Sequence, residues 1–407
     1  MVSEGMINWR CGDAKALADL VGKVARHDTA RTSGLVILQY LRLTQDGDRL
    51  TIEATDLGHA VRAVAVGAGE GQARVCVGAS DLALLTAKLS DGGQMVLRQQ
   101  GMRLTVECGG SRATLPVMDD SDFPALTWDG DPDTAVTLDG RVLTALLSTA
   151  AACAATDENR PALHGVRLVS DKGGALMAES IDGFRLMRVT LPADAAHGIA
   201  AGLLAAGLIL ELSSVRTALA LVGQGQVRLS RLAGQRLVLS DAGGAWDVAI
   251  GLVDALFPDL DRIASQGDGR SLTLTVDPVT TRRALALTTA TAAASGISGV
   301  VLSVSSQDGT TLEVDPAVAA KIGAPDARAT LRGLISPGFS GEARVGLNGK
   351  LLAGIVEALA TGGADDLTIR LDAAQPSHPI EVGATLFVGD CELAAQSILM
   401  PMLVTTA

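Results

Sequence analysis

The sequence predicts an α+β protein made of three copies of one unit, each with two helices against an antiparallel sheet. The first observation is length, because 407 residues suffice for several domains of about 100–200 residues each. The second is a repeat, because three similar apolar runs start about 130 residues apart. The third is composition, since 48% hydrophobic and 19% charged residues favour several compact cores over disorder.

The three repeated runs are rich in Leu, Val and Ile, which is typical of strands. They occupy 35–43, 163–169 and 297–303. A second pair of similar segments is 54–62 and 180–188. In both, an Asp near a Gly follows an apolar strand, which predicts a turn.

Two Phe-Pro pairs predict linkers, because proline interrupts a strand. They lie in 122–126 and 256–260, and no such pair ends the third repeat. The linkers predict three domains, with residues 1–129, 130–265 and 266–407.

Each repeat contains a predicted helix pair. The first helix of each pair follows an acidic or turn residue, and apolar side chains recur at helical spacing, as at Leu143, Leu146, Leu147 and Ala150. The first helices are predicted at 13–27, 139–155 and 277–295. The second helices follow a strand and are predicted at 79–90, 213–223 and 348–361.

Several classes of function are disfavoured by the sequence. The five cysteines are widely spaced, which is typical of thiols in a reducing compartment. The five histidines lack metal-ligand spacing and no phosphate-binding loop occurs, so we expect no metal, no cofactor and no catalysis. The glycines at 67, 69 and 71 predict a hairpin loop. The longest apolar stretch, 198–210, is too short for a membrane span, so we expect a soluble, cytoplasmic protein.

The order of these segments resembles the β sliding clamp family, the β subunits of bacterial DNA polymerase III. Residues 180–186, Ser-Ile-Asp-Gly-Phe-Arg-Leu, resemble the family's Thr-Asp-Gly-His-Arg-Leu. Residues 252–263 resemble the Val-Asp-Gly-x-Phe-Pro-Asp-Tyr linker, and 398–403 resemble the terminal Met-Pro-Met-Arg-Leu. Residues 55–57 and 122–124 also fit. Phe184 departs from the family's usual His or Tyr, and 403–404 depart from its basic-apolar ending.

The resemblance implies a processivity factor for DNA replication. Two subunits would close six domains into a homodimeric ring around duplex DNA, with helices inside and sheets on the rim. Replicative polymerase, clamp loader and repair polymerases would bind through linear motifs, and the loader, not this chain, would use ATP. Two alternatives remain open: a diverged clamp paralogue with altered partners, and an enzyme on the same scaffold.

The predicted helices carry the candidate DNA-facing surface. Helix windows at 12–27, 79–90, 138–155, 213–223, 277–295 and 348–361 hold nine basic and six acidic residues. They therefore carry +3 while the rest of a chain of net charge −12 carries −15. Such helices would contact phosphates without reading sequence, although ordinary solvated helix faces could look the same. The candidates, including two loop arginines, are Lys15, Lys23, Arg26, Arg31, Lys88, Arg141, Arg160, Arg216, Arg282, Arg283 and Lys350.

A peptide-binding groove between the second and third domains is implied by the resemblance. Met, Leu and Ile would form an adaptable apolar floor, and Arg185, Arg262 and Asn348 would hold a Gln or carboxylate of the peptide. Without the resemblance, the same residues would be taken for domain core and an interdomain contact. The matching positions are Leu163, Ile181, Gly183, Phe184, Arg185, Leu186, Pro258, Arg262, Ile263, Asn348, Leu351, Ile398, Met400, Pro401 and Met402.

The dimer seam is the last implied site. Alignment with the family places Ala113 and Leu115 on an edge strand of the first domain, and Thr291 and Ala292 at the end of the first helix of the third. Family members usually have bulkier residues here, so we expect a less apolar seam and a ring that dissociates more readily.

Overall fold

The computed structural model describes residues 5–26, 35–129, 135–157, 159–195, 204, 206–232, 235–265, 269–314, 323 and 325–402. Within them the chain is α+β, and every assigned strand pairing is antiparallel, as the sequence predicts. The helices are α1 (Ala14–Ala25), α2 (Ala79–Leu89), α3 (Gly140–Ala151), α4 (Leu212–Leu221), α5 (Leu260–Ala264), α6 (Pro278–Ala294) and α7 (Gly349–Thr361). None of these helices is long and apolar enough to cross a membrane.

The strands of the first repeat are β1 (Asn8–Cys11), β2 (Tyr40–Asp46), β3 (Arg49–Thr55), β4 (Ala60–Val66), β5 (Ala68–Gly69), β6 (Gln72–Gly78), β7 (Met95–Gln100), β8 (Arg103–Cys108) and β9 (Ser111–Met118). Those of the second are β10 (Val136–Asp139), β11 (Gly165–Ser170), β12 (Leu176–Ile181), β13 (Arg185–Leu191), β14 (Leu208–Glu211), β15 (Gln226–Leu232), β16 (Arg236–Asp241) and β17 (Trp246–Gly251). Those of the third are β18 (Leu272–Val276), β19 (Gly299–Ser305), β20 (Gly309–Val314), β21 (Arg328–Leu331), β22 (Gly333–Ile335), β23 (Glu342–Asn348), β24 (Leu367–Leu371), β25 (Ile380–Val388) and β26 (Cys391–Leu399).

The six predicted helices are all present, because capping and apolar spacing define them locally. The carboxylates of Asp13 and Asp277 accept hydrogen bonds from backbone amides in the first turns of α1 and α6. On α3, Leu143, Leu146 and Leu147 are completely buried, so this face packs in the core.

Three segments depart from the sequence predictions. The run 35–43 is not all strand. Val36–Gln39 forms a short 3-10 turn, and β2 begins only at Tyr40. Helix α5 was not predicted, since the preceding proline indicated only a linker. The hairpin loop predicted from the glycines at 67, 69 and 71 is wrong, because β4 and β6 do not pair with each other: Ala68–Gly69 forms β5, which pairs with β1, and β6 pairs with β2.

Two compact units divide the described chain, and the second repeat contributes to both. The first unit contains Met1–Gly140 and Ser213–Leu252, and its strands form one sheet in the order β10-β15-β16-β17-β4-β3-β2-β6-β9-β8-β7-β1-β5. Here β17 of the second repeat pairs with β4 of the first, aligning Asp247 with Arg62. Fully buried Leu41, Leu43 and Ile52 lie in its core.

The second unit contains Arg141–Leu212 and Val253–Ala407. Its larger sheet has the order β14-β11-β12-β13-β26-β25-β24-β18-β22, and a smaller one has the order β21-β20-β19-β23. Strand β26 of the third repeat pairs with β13 of the second, aligning Ile398 with Leu186. The predicted domain boundaries at 129 and 265 stay a prediction.

Candidate peptide groove and basic helix faces

An apolar cluster in the second unit gathers many of the predicted groove residues. Leu186 and Ile398 are cross-strand neighbours, and they are buried together with Ile181. Leu260 of α5 is buried in the same cluster. Partly buried side chains around it are Leu163, Phe257, Ile263 and Ala264. Segments far apart in sequence therefore meet at one apolar site.

A tight turn between β12 and β13 forms one edge of this site. The Asp182 carboxylate accepts hydrogen bonds from the backbone amides of Phe184 and Arg185, at 2.9 and 3.0 Å. Gly183 has a φ of 98°, which a residue with a side chain would adopt only with strain. The turn presents the Phe184 ring, which is 64% exposed, to solvent.

The segment after β26 lies beside this turn. The Met400 amide donates to the Phe184 carbonyl at 2.9 Å, and the Met402 amide donates to the Gly346 carbonyl at 2.7 Å. These backbone bonds fix the segment while the Met400 and Met402 side chains stay 40% and 38% exposed. Exposed, adaptable methionines beside a buried apolar floor are suited to contacting a peptide.

Two of the predicted polar contacts are occupied within the chain. Arg185 donates to the Asp182 carboxylate at 3.0 Å and to the Leu351 carbonyl at 3.1 Å, so it fastens the turn to α7. The side-chain oxygen of Asn348 accepts from the Lys350 and Leu351 amides and caps α7. Arg262 on α5 is exposed. Of the three, Arg262 is thus the most accessible to a bound peptide.

The remaining groove candidates are Pro258, Pro401 and Leu351. Pro258 precedes α5, Pro401 lies between Met400 and Met402, and Leu351 is the third residue of α7. All three are half-buried. The sequence did not single out Phe257, Leu260 or Ala264 for the groove. Apolar residues at 257, 260, 263 and 264, around the N-cap Asp259, are the helical signal that could have identified them.

The described basic candidates are mostly exposed. In the first unit Lys15, Arg26 and Lys88 are exposed, and Lys23 pairs with Asp19 at 3.0 Å. Arg141, Arg160, Arg216, Arg283 and Lys350 are also exposed. Arg282 pairs with Glu357 at 2.7 Å across α6 and α7, which reduces its net positive field. Arg31 lies outside the described residues.

The seam candidates divide into buried and accessible pairs. Leu115 on β9 is 7% exposed, and Ala292 is 1% exposed, packed against Val314. Ala113 and Thr291 are partly exposed. The side chains of Leu115 and Ala292 are thus already covered by their own chain.

No protein-family model matches the chain. The β sliding clamp of Caulobacter vibrioides (strain NA1000 / CB15N) is 28% identical over 269 residues, 65% of this chain and 69% of the relative. The β sliding clamp of Streptomyces coelicolor is 28% identical over 169 residues, 42% of this chain and 44% of that protein.

Solved structures agree over nearly the full length. A C. crescentus β sliding clamp, with polyethylene glycol at a region proposed to tether β motifs, has a TM-score of 0.78 at 24% identity and covers 99% of this chain and 100% of its own. The DNA polymerase III β subunit of Thermotoga maritima has a TM-score of 0.78 at 18% identity, covering 98% and 100%. The fold is therefore that of the DNA clamps. The chain is thus similar to β sliding clamps in sequence over about two thirds of its length, and in fold over nearly all of it.

Proposed function

We propose that this chain is a sliding clamp, a processivity factor that encircles duplex DNA and tethers the replicative polymerase and other replication and repair proteins. The observation that carries the proposal is the site where the 182–184 turn, α5 and the 399–402 segment meet. It combines a buried apolar floor with exposed Phe184, Met400 and Met402. A short linear motif with two apolar side chains fits such a site.

The proposal assigns no reaction to the chain itself. Within the described residues, no group of three or more His, Cys, Asp and Glu side chains could hold a metal ion. Affinity for DNA would come from exposed basic residues on the helices, acting on phosphates irrespective of sequence. A homodimer would close the ring through two copies of one joint, as two-fold symmetry requires. Retention would then depend mainly on topology.

Extension of a primed single-stranded circle by a cognate polymerase tests the proposal. With clamp loader and ATP, adding this chain should convert short products into full-length ones. Omitting the loader should abolish the gain, because a closed ring must be opened to enter a circle. Equal products with and without the chain, across several cognate polymerases, would contradict it.

A clamp with altered partners is the second candidate, and Phe184 favours it. An exposed phenyl ring replaces a side chain that can hydrogen-bond, so it adds apolar area and removes a polar contact. Reversion of Phe184→His should shift preference among motif peptides if this residue sets partner choice. Unchanged preference would remove the support for this candidate.

A further inference from the structure

A row of charged residues crosses three adjacent strands of the larger sheet in the second unit. Arg167, Glu179 and Arg188 are cross-strand partners on β11, β12 and β13. The Glu179 side chain is 1% exposed and accepts from Arg167 at 3.1 Å and from Arg188 at 2.6 and 2.7 Å. A buried carboxylate held by two guanidinium groups fixes the direction of both.

Both arginines also contact the segment that leads into the groove. The Arg167 guanidinium lies 5.5 Å from the centre of the Phe257 ring. Arg188 donates to the Asp261 carboxylate at 2.7 Å. Phe257 precedes α5 and Asp261 is its second residue, so the two contacts hold the chain on both sides of the N-cap.

Helix α5 needs such contacts. A single turn of five residues is not stable by itself, since nucleation costs more than its few hydrogen bonds return. The same turn brings Leu260 and Ile263 to the apolar cluster with Leu186 and Ile398. The position of α5 therefore sets how far one wall of the groove stands from its floor.

The first unit contains an equivalent arrangement. Arg42 donates to Glu53 at 2.9 Å, and its guanidinium lies 4.6 Å from the centre of the Phe123 ring in the first linker. In the third repeat, the row is Val301, Glu313 and Arg328, and no Phe-Pro linker follows. The arginine stacked on phenylalanine thus occurs in the two repeats with a linker to fasten.

We infer that Arg188, oriented by Glu179 and bonded to Asp261, is a positioning residue that holds α5 and thereby presets the peptide groove. This inference rests on the proposed function for its ligand, a linear motif of the Gln-x-x-Leu-Phe type. Arg188 itself need not touch the peptide. Its effect is to keep Leu260 and Ile263 in place before binding, so the peptide does not bear the cost of ordering them.

Three variants test the inference by fluorescence anisotropy with a labelled Gln-x-x-Leu-Phe peptide. Asp261→Asn removes an ion pair whose acid is 82% exposed, so affinity should fall about two- to fivefold. Arg188→Met should weaken binding more, about tenfold, because it also removes one of the two arginines that pair with the buried Glu179 carboxylate. The double variant should bind no worse than Arg188→Met, since Asp261 acts through Arg188.

Arg328→Met is the matched control. Arg328 shares Glu313 with Arg344, as Arg188 shares Glu179 with Arg167, but neither of these two arginines contacts α5 among the described residues. It should leave peptide affinity unchanged. Equal affinity losses in the control and in Arg188→Met, or additive losses in the double variant, would overturn the inference.

Amide hydrogen exchange of the free protein separates this inference from the proposed function. Asp261→Asn and Arg188→Met should speed exchange across 260–265, with thermal unfolding of Asp261→Asn unchanged. If wild-type protein binds no motif peptide, the proposed function fails while the exchange result still decides the positioning role. Unchanged exchange across 260–265 in both variants would refute that role.

Discussion

Truncating Met400 and Met402 is the sharpest perturbation of the groove. Their side chains are 40% and 38% exposed, and this area is what a peptide can cover. Covering two fifths of a methionine surface of roughly 200 Å² contributes about 2 kcal/mol at about 25 cal/mol per Å². Alanine retains part of that contact, so we expect a loss of about 1–1.5 kcal/mol for each truncation.

The double variant Met400→Ala with Met402→Ala should therefore bind a Gln-x-x-Leu-Phe peptide at least tenfold more weakly, since about 1.4 kcal/mol is a factor of ten. Fold should be retained, because the backbone bonds of both residues do not depend on the side chain. Fluorescence anisotropy measures the affinity, and circular dichroism with thermal unfolding checks the fold.

Met102→Ala provides the control for this experiment. Met102 is 58% exposed in the turn between β7 and β8, in the other unit, so its truncation should leave peptide affinity unchanged. A folded double variant that binds the peptide as tightly as wild type would refute the assignment of the groove and move the site elsewhere.

Three further predictions concern DNA, the seam and the thiols. Reversing Arg282 and Arg283 to Glu should weaken loading or sliding without unfolding the chain; most of the loss should come from Arg283, because Arg282 already pairs with Glu357. Loader-dependent retention and thermal unfolding measure the two effects, and full retention in the double reversal would contradict the DNA-facing assignment. The homodimer should dissociate into monomers at a higher protein concentration than typical clamps do. A dimer that persists into the low-nanomolar range in sedimentation would contradict this. Burial raises the pKa of the Cys76 and Cys153 thiols to about 12, so at pH 8 they should stay protonated and react far more slowly with a thiol reagent than partly exposed Cys391; equal rates in folded protein would contradict their burial.

Local signals in the sequence were sufficient for the repeat and for the described helices other than α5. Asp13, Asp277 and Asn348 are N-caps, and a cap followed by apolar residues at helical spacing defines a helix without knowledge of its neighbours. The apolar groove floor was reached through the family resemblance, because only the fold brings Leu186 beside Ile398.

The register in which strands pair, and the side-chain contacts that follow from it, could not be predicted from the sequence. Glu179 and Arg188 are nine positions apart, and nothing local indicates that they face each other across a hairpin or that Arg188 reaches Asp261. The turn at Val36–Gln39 was missed because a Leu- and Val-rich run satisfies both a strand and a tight turn. In both cases tertiary context determined the outcome.

Retention on circular and linear DNA tests the central claim most directly. Protein loaded onto a nicked circle by a clamp loader should remain bound during gel filtration at raised salt, because topology rather than phosphate contacts holds it. Cutting the circle once should release the protein from the ends. Equal retention on circular and linearised DNA would contradict the account, since a protein held by affinity alone does not distinguish the two.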